Sequence, residues 1–419
     1  MKPKNGLILY LIALCFTALC LFIQVLPINT AEHFQRILAL SPNQVIKLTS
    51  VFFIFYSILQ IPGGIIFDRF GIKIILPAAL LLTTIGSTLY MLSTNPYMLV
   101  ISRILTGVGT STAYITGIFL AVKEFPRSKS TLFISLVEAA STVSPIVAAN
   151  FFNNMLIHFG WYAANSGVIL FSLILFILAI VFLRRYDAAT IHKKDFHQVF
   201  SSFISIFKNR AAVLIFCHTF FVWSIMMSFA GFWLKNYMIN MHHFSVQRSL
   251  NLMVVYWISF SLGGIIIGFL IKELKQCKTY IVLLSLIGFL NFATLSIPAL
   301  FNYPSLLLIA VLGGIYTASV MINFTIIAHI INHKQVGTAI AINNTFLVLG
   351  GMFGQIGFGE ILGHTKHSLI SVSSNIEFHY YNALLMYPFL SLITLLLSIV
   401  ILVQLSQIDG TAKANSDLF

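Results

Sequence analysis

Long apolar runs recur along the whole chain and are separated by short polar segments. A run of about 18 or more apolar residues can cross about 30 Å of hydrocarbon as a helix. Backbone groups in lipid must bond within their own segment, so these runs predict helices, whereas a transmembrane β-barrel would show alternating residues. We predict twelve spans, at 6–28, 45–67, 74–94, 97–121, 131–154, 161–183, 211–234, 246–270, 279–298, 304–329, 337–362 and 380–404.

A long polar stretch divides these spans six and six. The segments "QIPGGIIFDRFGIK" and "SLGGIIIGFLIKELK" stand at equivalent places in the two halves, which indicates an internal repeat in parallel orientation. The linker is either partly amphipathic, lying along the membrane surface, or a plain tether. We therefore predict an all-α membrane protein of two pseudo-symmetric six-helix bundles, with the first bundle at 1–183, the linker at 184–210, the second bundle at 211–404 and a cytoplasmic tail at 405–419.

Composition and charge agree with a membrane protein. Hydrophobic residues make up 58% of the chain, charged residues only 8%, and the mean hydropathy is +0.95. A net charge of +13 would suggest nucleic-acid binding in a soluble protein. Here 18 Lys and Arg residues fall on one side of the predicted membrane and five on the other, which places both termini in the cytoplasm. We expect no nucleic-acid partner.

The sequence lacks the common patterns of enzymes and metal sites. The four cysteines show neither a disulfide framework nor zinc-ligand spacing. The chain also has no phosphate-binding loop, nucleophile elbow, metalloprotease motif or paired-carboxylate pattern. We therefore predict no enzymatic activity, no cofactor and no metal.

The stretch "GGIIFDRFGIK" concentrates charge and glycine in the short loop between spans two and three. Its glycines allow close backbone approach and a sharp turn. Span eleven begins near Gly337 on the same predicted cytoplasmic face, with free N–H groups and a partial positive charge. We predict that Asp68 latches this helix end when the cytoplasmic side is closed; alternatively, the charges only mark the positive side. The cytoplasmic-gate candidates are Gly64, Asp68, Arg69, Gly71 and Lys73.

Ionisable groups inside the spans are costly, so each is a functional candidate. Arg103 in span four begins a polar stripe with Gly107 and Tyr114 that we expect to face a water-filled cavity. Its planar guanidinium can bind a substrate carboxylate or phosphate, or control the protonation of a nearby carboxylate. The alternative is a structural arginine bonded to helix carbonyls.

Two carboxylates also lie within spans. Glu138 in span five is isolated at a depth that suits proton coupling, and the alternative is a satisfied buried pair. The predicted register puts Glu138 roughly 15–18 Å from Arg103, too far for a direct salt bridge. Glu360 lies near the outer end of span eleven, where it either meets Arg103 to close the outer side or is a loop-end carboxylate.

Amide and imidazole groups supply further polar positions in the spans. Amides of this kind line cavities in some proteins and bond to neighbouring helices in others. His218 is either a proton relay or a packing histidine. The candidate cavity-lining residues are Gln24, His218, Asn291, Asn323 and Asn343.

Three motifs resemble those of the major facilitator superfamily. "YSILQIPGGIIFDRFGIK" is similar to the loop signature G-x-x-x-D-R-x-G-x-K, "RILTGVGTS" resembles the span-four motif, and "FGWYAANSG" resembles the stretch before span six. The resemblance covers essentially the whole chain. It implies alternating-access transport of a small solute and a cytoplasmic-gate role for Asp68. Because Gly268 stands where the second half would carry its own aspartate, the equivalent latch is expected to be absent or degenerate.

The resemblance also bears on the direction of transport. Span five carries "EAASTVSPIVAAN", which keeps the proline but lacks the glycines of the motif G-x-x-x-G-P-x-x-G-G found in drug and proton antiporters. This departure favours uptake. We predict a secondary active transporter for a small polar metabolite (an organic anion, amino acid or small peptide), working by proton-coupled or facilitated uptake. The alternatives are a drug or siderophore exporter of the same superfamily and a non-transporting membrane receptor.

The predicted partners follow from this function. They are a small-molecule substrate, protons if transport is coupled, and the lipid bilayer. We expect a monomer that crosses the cytoplasmic (inner) membrane many times.

Overall fold

The structure is a computed structural model that describes residues 4–184, 203–297, 302–332, 335–368 and 376–416. Helices dominate these residues. In the first half they are α1 (Lys4–Leu38), α2 (Pro42–Ile58), α3 (Gln60–Phe70), α4 (Ile72–Met91), α5 (Pro96–Thr110) and α6 (Ala113–Glu124). The next helix, Ser130–Arg184, is interrupted at Gly160, whose φ of 81° and ψ of −179° are not helical. We label its two parts α7 (130–159) and α8 (161–184).

The second half repeats this arrangement of long helices. Its helices are α9 (Arg210–Ser228), a π-helical turn (Phe229–Trp233), α10 (Leu234–His242), α11 (Val246–Leu270), α12 (Leu274–Ala293), α13 (Tyr303–Thr317), α14 (Val320–Ile330), α15 (Val336–Ser368), α16 (Ile376–Leu384) and α17 (Met386–Ser416). The predicted linker falls mainly on 185–202, which lies outside the described residues.

The helices account for the twelve predicted spans. Within the described part of the chain, ten segments are each long and apolar enough to cross a membrane. An eleventh span is the pair Lys47–Ile58 and Gln60–Phe70, which is bent by 49°. α7 supplies the helix at the position of predicted span five. The all-α fold with twelve spans is therefore confirmed.

Four spans are broken where the sequence predicted continuous helices: spans two and four, span ten at Ala318 and Ser319, and span twelve at Leu385. α2 ends at Ile58 and α3 begins at Gln60, because Pro62 has no N–H to donate to the carbonyl of Ile58. α5 and α6 are separated at Ser111 and Thr112, and the Ser111 hydroxyl donates to the carbonyl of Val108 at 2.7 Å. A side chain bonded in this way competes with the regular helical ladder.

Short polar residues determine where several helices begin. The Oδ1 atom of Asn95 accepts a hydrogen bond from the backbone N–H of Met98 at 2.9 Å, which caps α5. Ser41, Asn209, Ser245 and Asn302 cap other helices in the same way. Between α3 and α4, Gly71 has a φ of 69°, a conformation that favours glycine. The predicted sharp turn in this loop therefore depends on Gly71.

The chain divides into two compact units. The first contains Met1–Pro126, Leu136–Ile204 and Asn332–Ile342, and the second contains Arg127–Ser135, Ser205–Ile331 and Asn343–Phe419. The first turns of α15 thus belong to the first unit, and the first turns of α7 belong to the second. Equivalent helices pair within each unit, since α2 packs on α5 in the first and α11 packs on α13 in the second.

Candidate functional site

Asp68 caps the start of α15 inside the first unit. Its Oδ1 atom accepts a hydrogen bond from the backbone N–H of Gly337 at 3.1 Å. Its Oδ2 atom accepts from the backbone N–H of Thr338 at 2.8 Å and from the Thr338 hydroxyl at 2.5 Å. A carboxylate at a helix N-terminus satisfies N–H groups that have no partner in the helix, and it interacts favourably with the helix dipole. The three bonds are charge-assisted.

Glycines bring the two elements close enough for this cap. A Cβ added to Gly337 would lie 2.5 Å from Oδ1 of Asp68, so a side chain there would displace the carboxylate. A Cβ added to Gly64 would overlap the Cβ of Ala341 and lie 3.0 Å from the carbonyl oxygen of Gly337. α3 and the start of α15 therefore approach at backbone distance, which is the arrangement that the two glycines permit.

The basic residues of the same loop have different surroundings. The guanidinium of Arg69 lies over the ring of Phe70, 5.1 Å from its centroid. Lys73 is exposed at the start of α4. The loop therefore combines a carboxylate that caps α15 with an arginine that contacts an aromatic ring and an exposed lysine.

The equivalent position in the second unit is a glycine packed on backbone. A Cβ added to Gly268 on α11 would lie 2.5 Å from the Cα atom and 2.9 Å from the nitrogen of Leu132, at the start of α7. Gly264, one turn earlier, has more room, since its Cβ would lie 3.7 Å from Ser135. The start of α7 is thus held close to α11 by shape alone, without a carboxylate at position 268.

Arg103 is buried in the first unit, with 1% of its surface exposed. Its Nε donates to the carbonyl of Thr49 at 3.2 Å, and its Nη1 donates to the carbonyl of Ile23 at 3.1 Å. The guanidinium also lies over the ring of Phe52, 4.6 Å from the centroid. These two bonds are those of the alternative prediction, an arginine bonded to helix carbonyls, and the role of Arg103 in substrate binding or proton coupling stays a prediction.

The predicted stripe next to Arg103 is likewise packed. A Cβ at Gly107 would lie 2.7 Å from the carbonyl oxygen of Phe52, so this glycine lets α5 approach the backbone of α2. The spacing of small and polar residues on α5 allowed either water or a neighbouring helix to contact this face. The structure places Gly107 against the backbone of α2. Tyr114, on α6, is also buried, with 6% of its surface exposed.

Glu138 lies on α7 in the first unit and is 7% exposed. Its carboxyl group is adjacent to the hydroxyl of Tyr114, and Tyr56 lies close to that hydroxyl. The ion pair found among the described residues joins Arg36 and Glu32 and does not involve Glu138. A buried carboxyl group with a phenol beside it and no cationic partner can exchange a proton more easily than one held in a salt bridge.

His218 belongs to a connected polar cluster in the second unit. Its Nδ1 lies 2.9 Å from Nδ2 of Asn323, and its Nε2 lies 3.1 Å from the hydroxyl of Ser285. Asn323 also donates to the hydroxyl of Thr219 at 2.9 Å, and Thr219 donates to Oδ1 of Asn343 at 2.8 Å. Because the Asn323 amide donates to Nδ1, the proton of a neutral His218 resides on Nε2.

Two amide atoms of this cluster are buried without a hydrogen-bond partner among the described residues. They are Oδ1 of Asn323 and Nδ2 of Asn343, one an acceptor and the other a donor. Buried amide groups are normally satisfied by protein, water or ligand. One amide acceptor and one amide donor of this cluster therefore remain without a partner in the described part of the chain.

The remaining predicted lining residues lie outside this cluster. Asn291 donates to the carbonyl of Ile309 at 3.1 Å, and Gln24 donates to the sulfur of Cys20 at 3.6 Å on the same helix. Glu360 is exposed on α15 in the second unit, and its role stays a prediction. Sequence reasoning missed Thr219, Ser285 and Thr338. Thr219 adjoins His218 and Thr338 adjoins Gly337, but nothing near Ser285 marked it as a partner of His218.

Comparison with known proteins identifies the family. The family model described as Major Facilitator Superfamily matches residues 8–355. The chain therefore belongs to the Major Facilitator Superfamily, and it is a multi-pass membrane transporter rather than an enzyme.

One curated relative is a hexuronate transporter from Bacillus subtilis (strain 168), with 22% identity over 252 residues. The match covers 58% of this chain and 60% of that protein, so less than two thirds of the relative is represented.

Solved structures of the superfamily share the fold. The E. coli fucose:proton symporter FucP matches with a TM-score of 0.69 and 13% identity, over 95% of this chain and 98% of that one. The proton:xylose symporter XylE matches with a TM-score of 0.67 and 14% identity, over 94% and 95% of the two chains. The human organic anion transporter MFSD10 matches with a TM-score of 0.68 and 12% identity, over 95% and 100%. At these identities the likeness shows the fold alone.

Proposed function

We propose that this transporter takes up a small polar metabolite together with protons, by alternating access across the cytoplasmic membrane. The observation that carries the proposal is Glu138, a buried carboxyl group beside the Tyr114 hydroxyl, without an ion pair among the described residues. The excess of basic residues in one set of loops supports termini on the cytoplasmic side. We propose a monomer as the working unit.

Glu138 fits the coupling role for a physical reason. An ionised carboxylate is costly in a span unless a cation or several donors stabilise it. The neutral carboxylic acid has a lower free energy in the span, and it can become ionised when its surroundings open to water. A group that changes protonation with its exposure links proton movement to conformational change.

The cap on α15 supports the alternating-access part of the proposal. α15 begins in the first unit and continues in the second, so its capped first turns connect the two. The cap includes three hydrogen bonds from Gly337 and Thr338 to one carboxylate. Such a contact is strong enough to favour one arrangement and small enough to be broken during each transport cycle.

The substrate class is supported by the cluster around His218. An amide acceptor on Asn323 and an amide donor on Asn343 suit a molecule with hydroxyl groups. Hexuronate is a hydroxylated organic anion, and the curated relative carries that substrate in its name. We therefore propose sugar acids and related hydroxylated metabolites as the first substrates to test, ahead of amino acids and small peptides.

The direct test measures substrate-driven proton movement in vesicles that contain the purified full-length chain. Hexuronates, neutral sugars, amino acids and dipeptides are added outside, and acidification of the interior is recorded. Glu138→Gln should abolish substrate-driven acidification while exchange of labelled substrate for unlabelled substrate continues. Glu32→Gln is the matched control, because Glu32 is 84% exposed and its ion-pair partner in the described part of the chain is Arg36.

The outcomes separate the parts of the proposal. Proton uptake that is unchanged in Glu138→Gln would remove this residue from the coupling role. Vesicles that move none of these metabolites, but extrude lipophilic cations, would indicate a drug exporter instead.

A further inference from the structure

One arm of the Arg103 guanidinium has no partner in the described structure. Nε and Nη1 donate to the carbonyls of Thr49 and Ile23, whereas Nη2 is buried and makes no hydrogen bond. The carbonyls contribute partial negative charge only. The Arg36–Glu32 ion pair does not include Arg103, so within the described residues its full positive charge has no anionic partner. A buried cation without an anion is energetically costly.

A small cavity that is lined in part by Arg103 lies inside the first unit. Its volume is about 10 Å³, and its polar walls come from α4, α5 and α8. The wall residues that matter here are Ser87, Tyr90, Arg103, Thr106 and Asn165. The hydroxyl of Ser87 is also buried and has no hydrogen-bond partner among the described residues. We call this cavity the Arg103 pocket.

The hydrogen atoms available to the Arg103 pocket can be counted. Thr106 donates its hydroxyl proton to the carbonyl of Ser102 at 2.9 Å, so it offers no donor to the pocket. Thr30 donates to the carbonyl of Leu26, so in the 2.6 Å contact between Thr30 and Tyr90 the proton comes from Tyr90. The hydroxyl protons of Thr106 and Tyr90 are therefore already used.

The donors that remain all favour a negatively charged occupant. They include the two N–H groups of Arg103 Nη2 and the O–H group of Ser87, and Nη1 keeps one N–H beyond the one bonded to Ile23. Asn165 uses one amide hydrogen on the carbonyl of Trp161, and a second one remains. None of the named wall residues is acidic, so the pocket combines a fixed positive charge with a surplus of donors.

The size of the Arg103 pocket limits the occupant to one small particle. A cavity of about 10–15 Å³ holds about one water-sized sphere. Carboxylate, phosphate and sulfate groups are too large. A halide is slightly larger than water, and the flexible aliphatic side chains of Ile23 and Leu26 form part of the wall.

We propose that the Arg103 pocket binds one monatomic monovalent anion, of the chloride type, as the counter-ion of Arg103. Arg103 Nη2 and the Ser87 hydroxyl donate hydrogen bonds to it. The anion neutralises the buried guanidinium and stabilises the junction of α1, α4, α5 and α8. This site is separate from Glu138 and from the cap on α15, and it does not depend on the proposed function.

The test uses the full-length chain in lipid nanodiscs at constant ionic strength. The unfolding midpoint is measured in sodium methanesulfonate, whose anion is not a sugar acid, and then with increasing chloride or bromide. A ligand that binds only the folded state raises the midpoint as its concentration increases. We expect chloride and bromide to raise it saturably, and sulfate to have no saturable effect.

A matched pair of serine variants assigns the effect to the pocket. Ser87→Ala removes one donor to a charged ligand and should weaken halide affinity by roughly tenfold or more, with little change of the midpoint in methanesulfonate. Ser102→Ala removes a buried hydroxyl on α5 that donates to the carbonyl of Leu99, and it should keep the wild-type halide response.

A crystallographic measurement locates the ion. Crystals of the full-length chain grown in bromide should show an anomalous peak within hydrogen-bonding distance of Arg103 Nη2 and Ser87 Oγ. A midpoint that does not respond to halides, or a pocket that contains water and no anomalous peak, would overturn the proposal. An equal halide response in Ser87→Ala and wild type would also contradict it.

Discussion

The starts of α15 and α7 are held in two different ways. In the first unit a carboxylate, Asp68, accepts three hydrogen bonds from Gly337 and Thr338. In the second unit Gly268 leaves only enough room for the backbone of Leu132. A carboxylate supplies charge and direction, so its contact is strong only within a narrow range of geometry. A glycine supplies shape, and its contact varies little with charge or ionic conditions.

This difference suggests unequal roles for two elements that the internal repeat makes equivalent. The contact of Asp68 can be lost in one step when its donors move away. The contact at Gly268 depends on close packing, which changes gradually when helices slide. We therefore expect the start of α15 to be the more switch-like of the two, and three substitutions test this comparison.

The largest effect is expected from Asp68→Asn. The amide lacks the charge, and one of its two terminal atoms donates instead of accepting, so at least one of the three bonds is lost. The contact between residue 68 and the start of α15 should weaken by about 2–3 kcal/mol, a typical value for losing a hydrogen bond to a charged group. Closure of the cytoplasmic side should be impaired and transport turnover slowed at least about tenfold, with membrane insertion unchanged.

Turnover is measured in reconstituted vesicles, with Lys73→Gln as the control in the same loop. Lys73 is exposed, so its loss should leave turnover near the wild-type value. Normal transport by Asp68→Asn would show that the charge only marks the cytoplasmic side.

Gly268→Ala should have the next largest effect. The new Cβ would lie 2.5 Å from the Cα atom of Leu132, and backbone atoms cannot move aside as a side-chain end can. Overpacking of this kind costs about 1–3 kcal/mol, so the unfolding midpoint of the purified protein should fall. Gly264→Ala is the control, because its nearest contact would be 3.5 Å and it should leave the midpoint unchanged or slightly higher. Equal midpoints for the two variants would contradict the close contact at Gly268.

Thr338→Val should have the smallest effect of the three. Valine keeps the shape of threonine and the backbone N–H, so only the hydroxyl bond to Asp68 is lost. We expect the contact between Asp68 and the start of α15 to weaken by about 1.5 kcal/mol. Transport turnover in the same vesicle assay should be a few-fold slower. Combined with Asp68→Asn, this substitution should add little, because both remove the same contact. Additive effects would show that Thr338 acts through another partner.

The cap on α15 could be predicted because each part of the cap corresponds to a recognisable pattern in the sequence. An aspartate followed two adjacent glycines in a short loop, and a distant span began with Gly337 on the same side. The physics of helix termini then paired the two. The helices themselves were predictable from uninterrupted apolar length, which needs no knowledge of neighbours.

The surroundings of Arg103 and His218 could not be predicted in the same way. A polar stripe at helical spacing shows which side of a helix is polar, but water and the carbonyls of Ile23 and Thr49 satisfy a guanidinium equally well. His218 and Ser285 are 67 residues apart, and their pairing depends on how three helices pack. The break near Leu59 was readable from Pro62, but a proline is also tolerated in the first turn of a new helix.

Gly160 joins α7 and α8 without a loop. Its φ of 81° and ψ of −179° belong to a region of backbone conformation that is essentially restricted to glycine. A Cβ added there would meet no atom within 4 Å. The effect of replacing Gly160 by alanine would therefore come from the backbone preference of one residue and not from steric overlap with its neighbours. The junction is a suitable place to measure that preference within a membrane-embedded chain.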